Sequence, residues 1–152
     1  MKMVKEAPLN EITLRKYEKP YDAPRREIVK KVCLSLGLLQ SGDSRDIIVD
    51  ILLILEESRK NKEWISSFSV RDKVEILRKE NSLEIKGLAE SNIRRQLKRL
   101  RDVMLVDKKE NQYRLSEFAP LSETFETKIE KFLIPQTIDR IKEYLIKLDN
   151  SK

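Results

Sequence analysis

Between Ser91 and Arg101 the chain reads SNIRRQLKRLR, with five Lys or Arg and no acidic residue. On a helix, Ile93, Leu97, Leu100 and Met104 fall on one stripe, while Ser91, Arg95, Lys98 and Arg99 point the opposite way. Such a segment has few folded options: its apolar stripe must be buried, and its cationic face is left to water or to a partner. The excess charge is local. Residues 91 to 116 hold eight Lys or Arg against three Asp or Glu, in a chain whose whole net charge is +6. A concentrated cationic surface of this kind suits a polyanion. Most charge runs are merely solvated faces, and the lack of acidic partners within Ser91 to Arg101 argues against that reading here.

The rest of the sequence predicts a mainly α fold. Only three Gly occur in 152 residues, and long Lys/Glu/Ile-rich segments carry a helical period. That length supports one core, so one globular domain with appendages is expected. Residues 1 to 24, with Pro8, Pro20 and Pro24, read as an arm in which Ile12 to Tyr17 forms a short strand or lies against the core. The arm's Arg15, Lys16 and Lys19, with Arg25 and Arg26 behind it, either reach phosphate or are solvated surface. From Arg25 the spacing Ile28, Val29, Val32, Cys33, Leu36 predicts a helix that Gly37 stops. A loop at Ser41 to Ser44 follows, and residues 25 to 44 form one N-terminal unit of helix and loop.

Asp43 or Ser44 is expected to cap a helix from Arg45 to about Lys60, apolar around most of its girth through Ile47, Ile48, Ile51, Leu52, Ile54 and Leu55. Trp64 to Phe68 is β-prone. Ser69 with Asp72 resembles a capping pair for a further helix that buries Val70, Val74 and Leu77 and turns Arg71, Lys73, Arg78 and Lys79 outward. Asn81 to Glu90 is a linker, and Glu90 or Ser91 is the expected cap of the basic helix. Met104 to Val106 and Gln112 to Ser116 then read as a hairpin around a polar turn, with Lys108 and Lys109 near its tip. The segment Leu121 to Leu148 is helical again and broken at Pro135. There Ile134, Ile138, Ile141, Leu145 and Leu148 are spaced four, three, four and three, a heptad seam that packs on the protein's own core or on a second copy.

Helix, short strand, helix, basic helix and hairpin, from Arg45 to about Glu117, follow one another as in the winged helix-turn-helix superfamily. The run NIRRQLKRLRDVMLV, Asn92 to Val106, with Tyr113-Arg114-Leu115 in the returning strand, resembles the recognition helix and wing of bacterial and archaeal winged-helix regulators. The resemblance covers about half the chain, with two departures. The linker before the basic helix is longer than the usual tight turn, and Val103 and Met104 stand where a Gly often precedes the wing. It implies a winged-helix domain over residues 45–117, flanked by the N-terminal helix and by a C-terminal helical extension over 118–152.

The function expected from this reading is DNA binding, as a transcriptional regulator. A helix of this kind enters the major groove, where Arg pairs with guanine and Asn or Gln with adenine. Asn92, Arg95, Gln96 and Arg99 are the candidates for base edges. Ser91, Arg94, Lys98 and Arg101 on the helix, and Lys108 and Lys109 on the wing, are the candidates for phosphates. A single module reaches few bases, so a homodimer through Ile134, Ile138, Ile141, Leu145 and Leu148 is expected. The alternative is a winged-helix module that docks on a protein of the transcription, replication or RNA-processing machinery.

Catalysis is not expected: there is no His, no phosphate-cradling Gly-rich loop and no Cys/His metal set, and Cys33 reads as a buried thiol. No cofactor and no metal are implied. The chain carries no leader-like segment, and its most apolar run, Ile47 to Leu55, is interrupted by Asp50 and too short for a bilayer, so a soluble cytoplasmic protein is expected.

Overall fold

The structure, a computed structural model, describes residues 6–152, so the first five positions of the arm expected over 1–24 lie outside the described residues. The chain is mainly helical, with a small three-stranded antiparallel sheet.

Helix α1 (Arg25–Ser35) starts behind Pro24 and ends before Gly37, which adopts φ +69°. The arm crosses this end in extended, irregular form rather than as a strand. The Arg15 amide donates to Ser35 O at 2.8 Å, and the Arg15 guanidinium donates to the carbonyls of Leu34 and of Leu39 in the following loop, so this one residue satisfies two terminal carbonyls of α1 and ties the loop to them. Ile12 and Tyr17 pack against the core beside it. A Cβ on Gly37 would lie 2.4 Å from Thr13 Cβ. Gly37→Ala is therefore expected to cost about 1–3 kcal/mol through strain and displacement of the arm. Gly42→Ala, at φ +78° with no atom within 4 Å of its added Cβ, carries strain alone. Urea midpoints of the two variants check this; equal losses would mean that the arm does not press on Gly37.

Helix α2 (Ile47–Lys60) runs through the centre of the core, burying Ile47, Ile48, Val49, Ile51, Leu52 and Leu55 together with Asp50. It begins two residues later than expected, and neither Asp43 nor Ser44 caps it. Asp43 instead accepts from the Arg45 amide at 2.9 Å within the loop. Asp46, at the N-cap position, makes no cap bond because its carboxylate is held by Arg26 and Arg78.

Strand β1 (Ile65–Ser66) leads directly into α3 (Ser67–Glu80). The cap is Ser66, whose extended backbone lets its hydroxyl accept from the Ser69 amide at 3.1 Å; the expected start at Ser69 is corrected by one turn. Val70 and Val74 are buried. Arg78 is buried as well, against the expectation that it faces water. Its guanidinium reaches Asp50 at 2.6 Å and Asp46 at 3.0 Å, and Arg26 from α1 closes the same cluster at 2.9 Å on each Asp. Two Arg and two Asp thus tie three helices together, consistent with the rule that buried charges are paired.

After the linker comes α4 (Glu90–Asp102), with Ala89 at the N-cap; neither Glu90 nor Ser91 supplies a side-chain cap. The Asn92 side-chain amide donates instead to Gly87 O at 2.8 Å and closes the turn from outside. Ile93, Leu97 and Leu100 are fully buried, as the stripe requires. Met104 leaves that stripe, because it lies past the helix end at φ +66° in the corner that starts the hairpin.

The hairpin is β2 (Val106–Lys109) and β3 (Gln112–Leu115): it is shorter than expected at its open end, where Met104, Leu105 and Ser116 lie outside the strands, and longer at the turn, which is closed by Glu110 and Asn111 alone. β1 adds a third strand through Ile65 opposite Tyr113, giving the order β1-β3-β2. A 3-10 turn at Ser116–Phe118 then leads to α5 (Leu121–Thr124), a π-helical section (Phe125–Leu133) and α6 (Ile134–Asp149). The expected break at Pro135 does not occur. Leu133 and Ile134 keep right-handed helical dihedrals, and the wider π spacing ends just where proline removes an amide donor. Ile129 and Leu133 are buried, whereas no residue of α6 is.

Candidate nucleic-acid interface

The three buried residues of α4 fix its roll, and that roll sorts its polar side chains into a crest and two flanks. Ser91, Arg95 and Lys98 lie on the crest and are exposed. Arg94 and Arg101 are exposed on one flank. Asn92, Gln96 and Arg99 lie on the other flank and are half-buried, facing the segment between α1 and α2.

The linker that sets this roll is itself held. Arg71 Nε donates to Leu88 O at 3.1 Å, and Arg78 Nε donates to Glu84 O at 2.7 Å, so two arginines of α3 clamp the chain that leads into α4. The long connection is therefore anchored at two points along its length.

The four residues expected to read bases come together as one hydrogen-bonded set. Asn92 Oδ1 accepts from Arg95 at 2.8 Å and from Gln96 at 3.2 Å; Gln96 Oε1 accepts from Arg99 at 2.7 Å; Arg99 donates onward to Leu38 O at 2.9 Å. They line one wall of a polar cavity of about 710 Å³ whose other walls come from the segment between α1 and α2 and from the linker. Arg95 alone of the four is exposed; the others are half-buried along this cavity.

The phosphate candidates are arranged differently. Arg94 pairs loosely with Glu90 at 3.5 Å and lies 5.5 Å from the Phe68 ring, and Lys98 pairs with Asp102 at 3.0 Å. Lys98–Asp102 is an exposed i,i+4 pair of small stabilising value, readily exchanged for a phosphate, whereas the Glu90 carboxylate facing Arg94 is buried. Lys108 and Lys109 are exposed on β2, Lys108 over the Tyr113 ring at 5.8 Å. The hairpin below them is braced by Arg114, which lies over the rings of Trp64 and Phe118 and donates to Asp107 at 2.9 Å. Burial pushes the Asp107 carboxyl up, but the Glu117 amide and Arg114 more than offset this, and it lies below the usual carboxylate range.

Two cations that the sequence did not single out, Arg45 and Lys86, also line the polar cavity. Each carries a local acidic neighbour, Asp43 at 3.5 Å and Glu84 at 2.8 Å, which is why charge counting along the chain passed over them.

Among the described residues no His, Cys, Asp or Glu side chains are grouped so as to hold a metal ion. Cys33 is buried, and that burial pushes its thiol up to about 12, far from a reactive thiolate. Among the described residues no helix is long and apolar enough to cross a membrane. No protein-family model, curated protein or solved structure matches the chain.

Proposed function

We propose that the chain is a winged helix-turn-helix protein that binds double-stranded DNA with α4 in the major groove and the β2-β3 hairpin on the backbone, as a transcriptional regulator. The observation that carries this reading is the exposed cationic crest and flank of α4, Arg94, Arg95, Lys98 and Arg101, on a helix rolled by three fully buried residues. The order α2, β1, α3, α4, β2, β3, with β1 paired on β3, supports it further.

On this reading Arg95 meets base edges first. Asn92, Gln96 and Arg99 are held in fixed rotamers by their mutual bonds, which lowers the ordering cost of contact on that flank. Arg94, Lys98 and Arg101 take phosphates, with Ser91, Lys108 and Lys109 at the margins. The test is fluorescence anisotropy on duplexes selected from a random pool, across a salt series. Affinity is expected to fall with salt, with a log–log slope of about −3 to −5. Arg95→Ala with Arg99→Ala is expected to weaken the selected duplex about 10- to 100-fold and to relax sequence choice, since a good bidentate pair discriminates by about 1–3 kcal/mol. Unchanged affinity and unchanged preference in that variant would remove the recognition-helix assignment.

A second reading, a docking module for another protein, is favoured by one observation, the uncovered apolar stripe of α6. Salt-insensitive capture of a single protein partner, without DNA binding, is its signature.

A further inference from the structure

On a helical projection Ile134, Ile138, Ile141, Tyr144, Leu145 and Leu148 of α6 occupy one apolar stripe, and Asp139, Arg140, Glu143 and Lys147 lie away from it. The stripe is open: Ile138 is 45% exposed, Ile141 54%, Leu145 53%, Leu148 66% and Tyr144 73%. Scattered exposed apolar residues need no explanation, but a continuous stripe along one helix face does. The body of the protein covers only the start of the stripe, where Ile134 packs half-buried against the core, and leaves the rest of it open.

We propose that a second copy of this chain covers it, the two α6 helices packing side by side in parallel. The spacing is the first argument. Apolar residues recurring at four, three, four and three keep facing a neighbouring helix of the same period, and a second copy supplies that period in register.

Charge is the second argument, and it selects the direction. With Ile138 and Leu145 at the a positions and Ile134, Ile141 and Leu148 at d, the flanking positions hold Thr137, Lys142, Tyr144 and Asp149. Parallel pairing sets Lys142 against Thr137 of the other copy and Asp149 against the hydroxyl of Tyr144, which can donate to it. In the antiparallel register that sets Ile138 on Leu148 and Ile141 on Leu145, Lys142 meets its own symmetry mate at the dyad, a like-charge contact that opposes association.

Area is the third argument. Covering the stripe buries on the order of 500 Å² per copy, short of the ~800 Å² of a standard interface. The helix is already anchored through Ile129 and Leu133, so association does not have to fold it. The pairing is therefore reversible and concentration-dependent, in the micromolar range. Parallel pairing also sets both bodies at the same end of the seam under one two-fold axis, the arrangement that two symmetry-related α4 helices need to address two half-sites.

Sedimentation equilibrium on the full chain, without DNA, tests the pairing independently of the DNA reading. A monomer–dimer equilibrium is expected between about 1 and 200 µM. Ile141→Glu with Leu145→Glu is expected to give monomer throughout that range with an unchanged circular dichroism melt at low concentration. Leu148→Cys is expected to form a disulfide-linked dimer on mild oxidation, since parallel pairing sets position 148 beside itself, while the buried Cys33 stays unreacted. A wild-type monomer throughout the range, an oligomer larger than two, or a dimer unaffected by the Glu substitutions overturns the proposal. A dimer in which Leu148→Cys fails to crosslink overturns the parallel direction. A wild type that stays monomeric throughout that range yet binds DNA would sink the pairing and leave the α4 reading standing.

Discussion

Asp50→Ala is expected to lower the free energy of unfolding by about 3–5 kcal/mol, the usual cost of removing one partner from a buried ion cluster. Asp50 is fully buried on α2 and accepts from Arg26 at 2.9 Å and Arg78 at 2.6 Å. Alanine would leave two guanidiniums to share the single carboxylate of Asp46, and Arg78, only 6% exposed, has little access to water. The loss would be a large fraction of the roughly 5–15 kcal/mol that holds a domain of this size folded. Urea unfolding followed by circular dichroism measures it. The control is Asp102→Ala, which removes an exposed carboxylate 3.0 Å from Lys98 and should change stability by less than about 1 kcal/mol. A double-mutant cycle with Arg78→Met should show strong coupling, because the hydrophobic replacement removes the charge that Asp50→Ala leaves stranded. Additive losses, or an Asp50→Ala midpoint equal to that of the control, would mean the cluster does not clamp the three helices.

That same cluster marks where the sequence stopped being legible. Elements with a strong local period were readable: the α4 stripe of Ile93, Leu97 and Leu100 is buried as its spacing required, and α1 stops before Gly37. Arg78 was expected to face water because the stripe of Val70, Val74 and Leu77 was read as the buried face of α3. The partners of Arg78 lie 28 and 32 residues earlier, on α2 and at its N-cap position, beyond any local window. The Ser66 cap was missed for a related reason. Pairing of Ile65 with Tyr113 fixes where β1 ends, and that tertiary contact moves the start of α3. Pro135 was read as a break from propensity alone, whereas the π spacing before it absorbs the missing donor.

The candidate site shows the same division. Its charge was visible as a run, and the outward direction of Arg95 and Lys98 followed from the apolar stripe. The half-burial of Arg99 was not visible, because it depends on the Leu38 carbonyl, 61 residues away in sequence. Arg45 and Lys86 were hidden by acidic neighbours that offset them in a local count but leave them lining the cavity.

Removing the charges of Arg94, Lys98 and Arg101 together, each to Gln, is expected to weaken duplex binding about 10²- to 10³-fold near 0.1 M salt and to reduce the salt slope by about three. These side chains are exposed, and none belongs to the hydrogen-bonded set of Asn92, Arg95, Gln96 and Arg99. The loss should therefore be nearly uniform across duplex sequences, with the preferred site unchanged, which separates phosphate contact from base contact. Glutamine keeps most of the side-chain length, so the helix surface and its cover over the core persist. Removing Lys98 should change folding little, because Lys98–Asp102 is an exposed pair. Among the described residues the buried Glu90 carboxylate has no hydrogen-bond donor, so removing Arg94, its one ion-pair partner, is expected to cost about 1–3 kcal/mol without unfolding the domain. The decisive measurement is the slope. A variant that binds more weakly at every salt concentration with the wild-type slope would have lost shape rather than phosphate contacts, and the crest of α4 would then face something other than a nucleic-acid backbone.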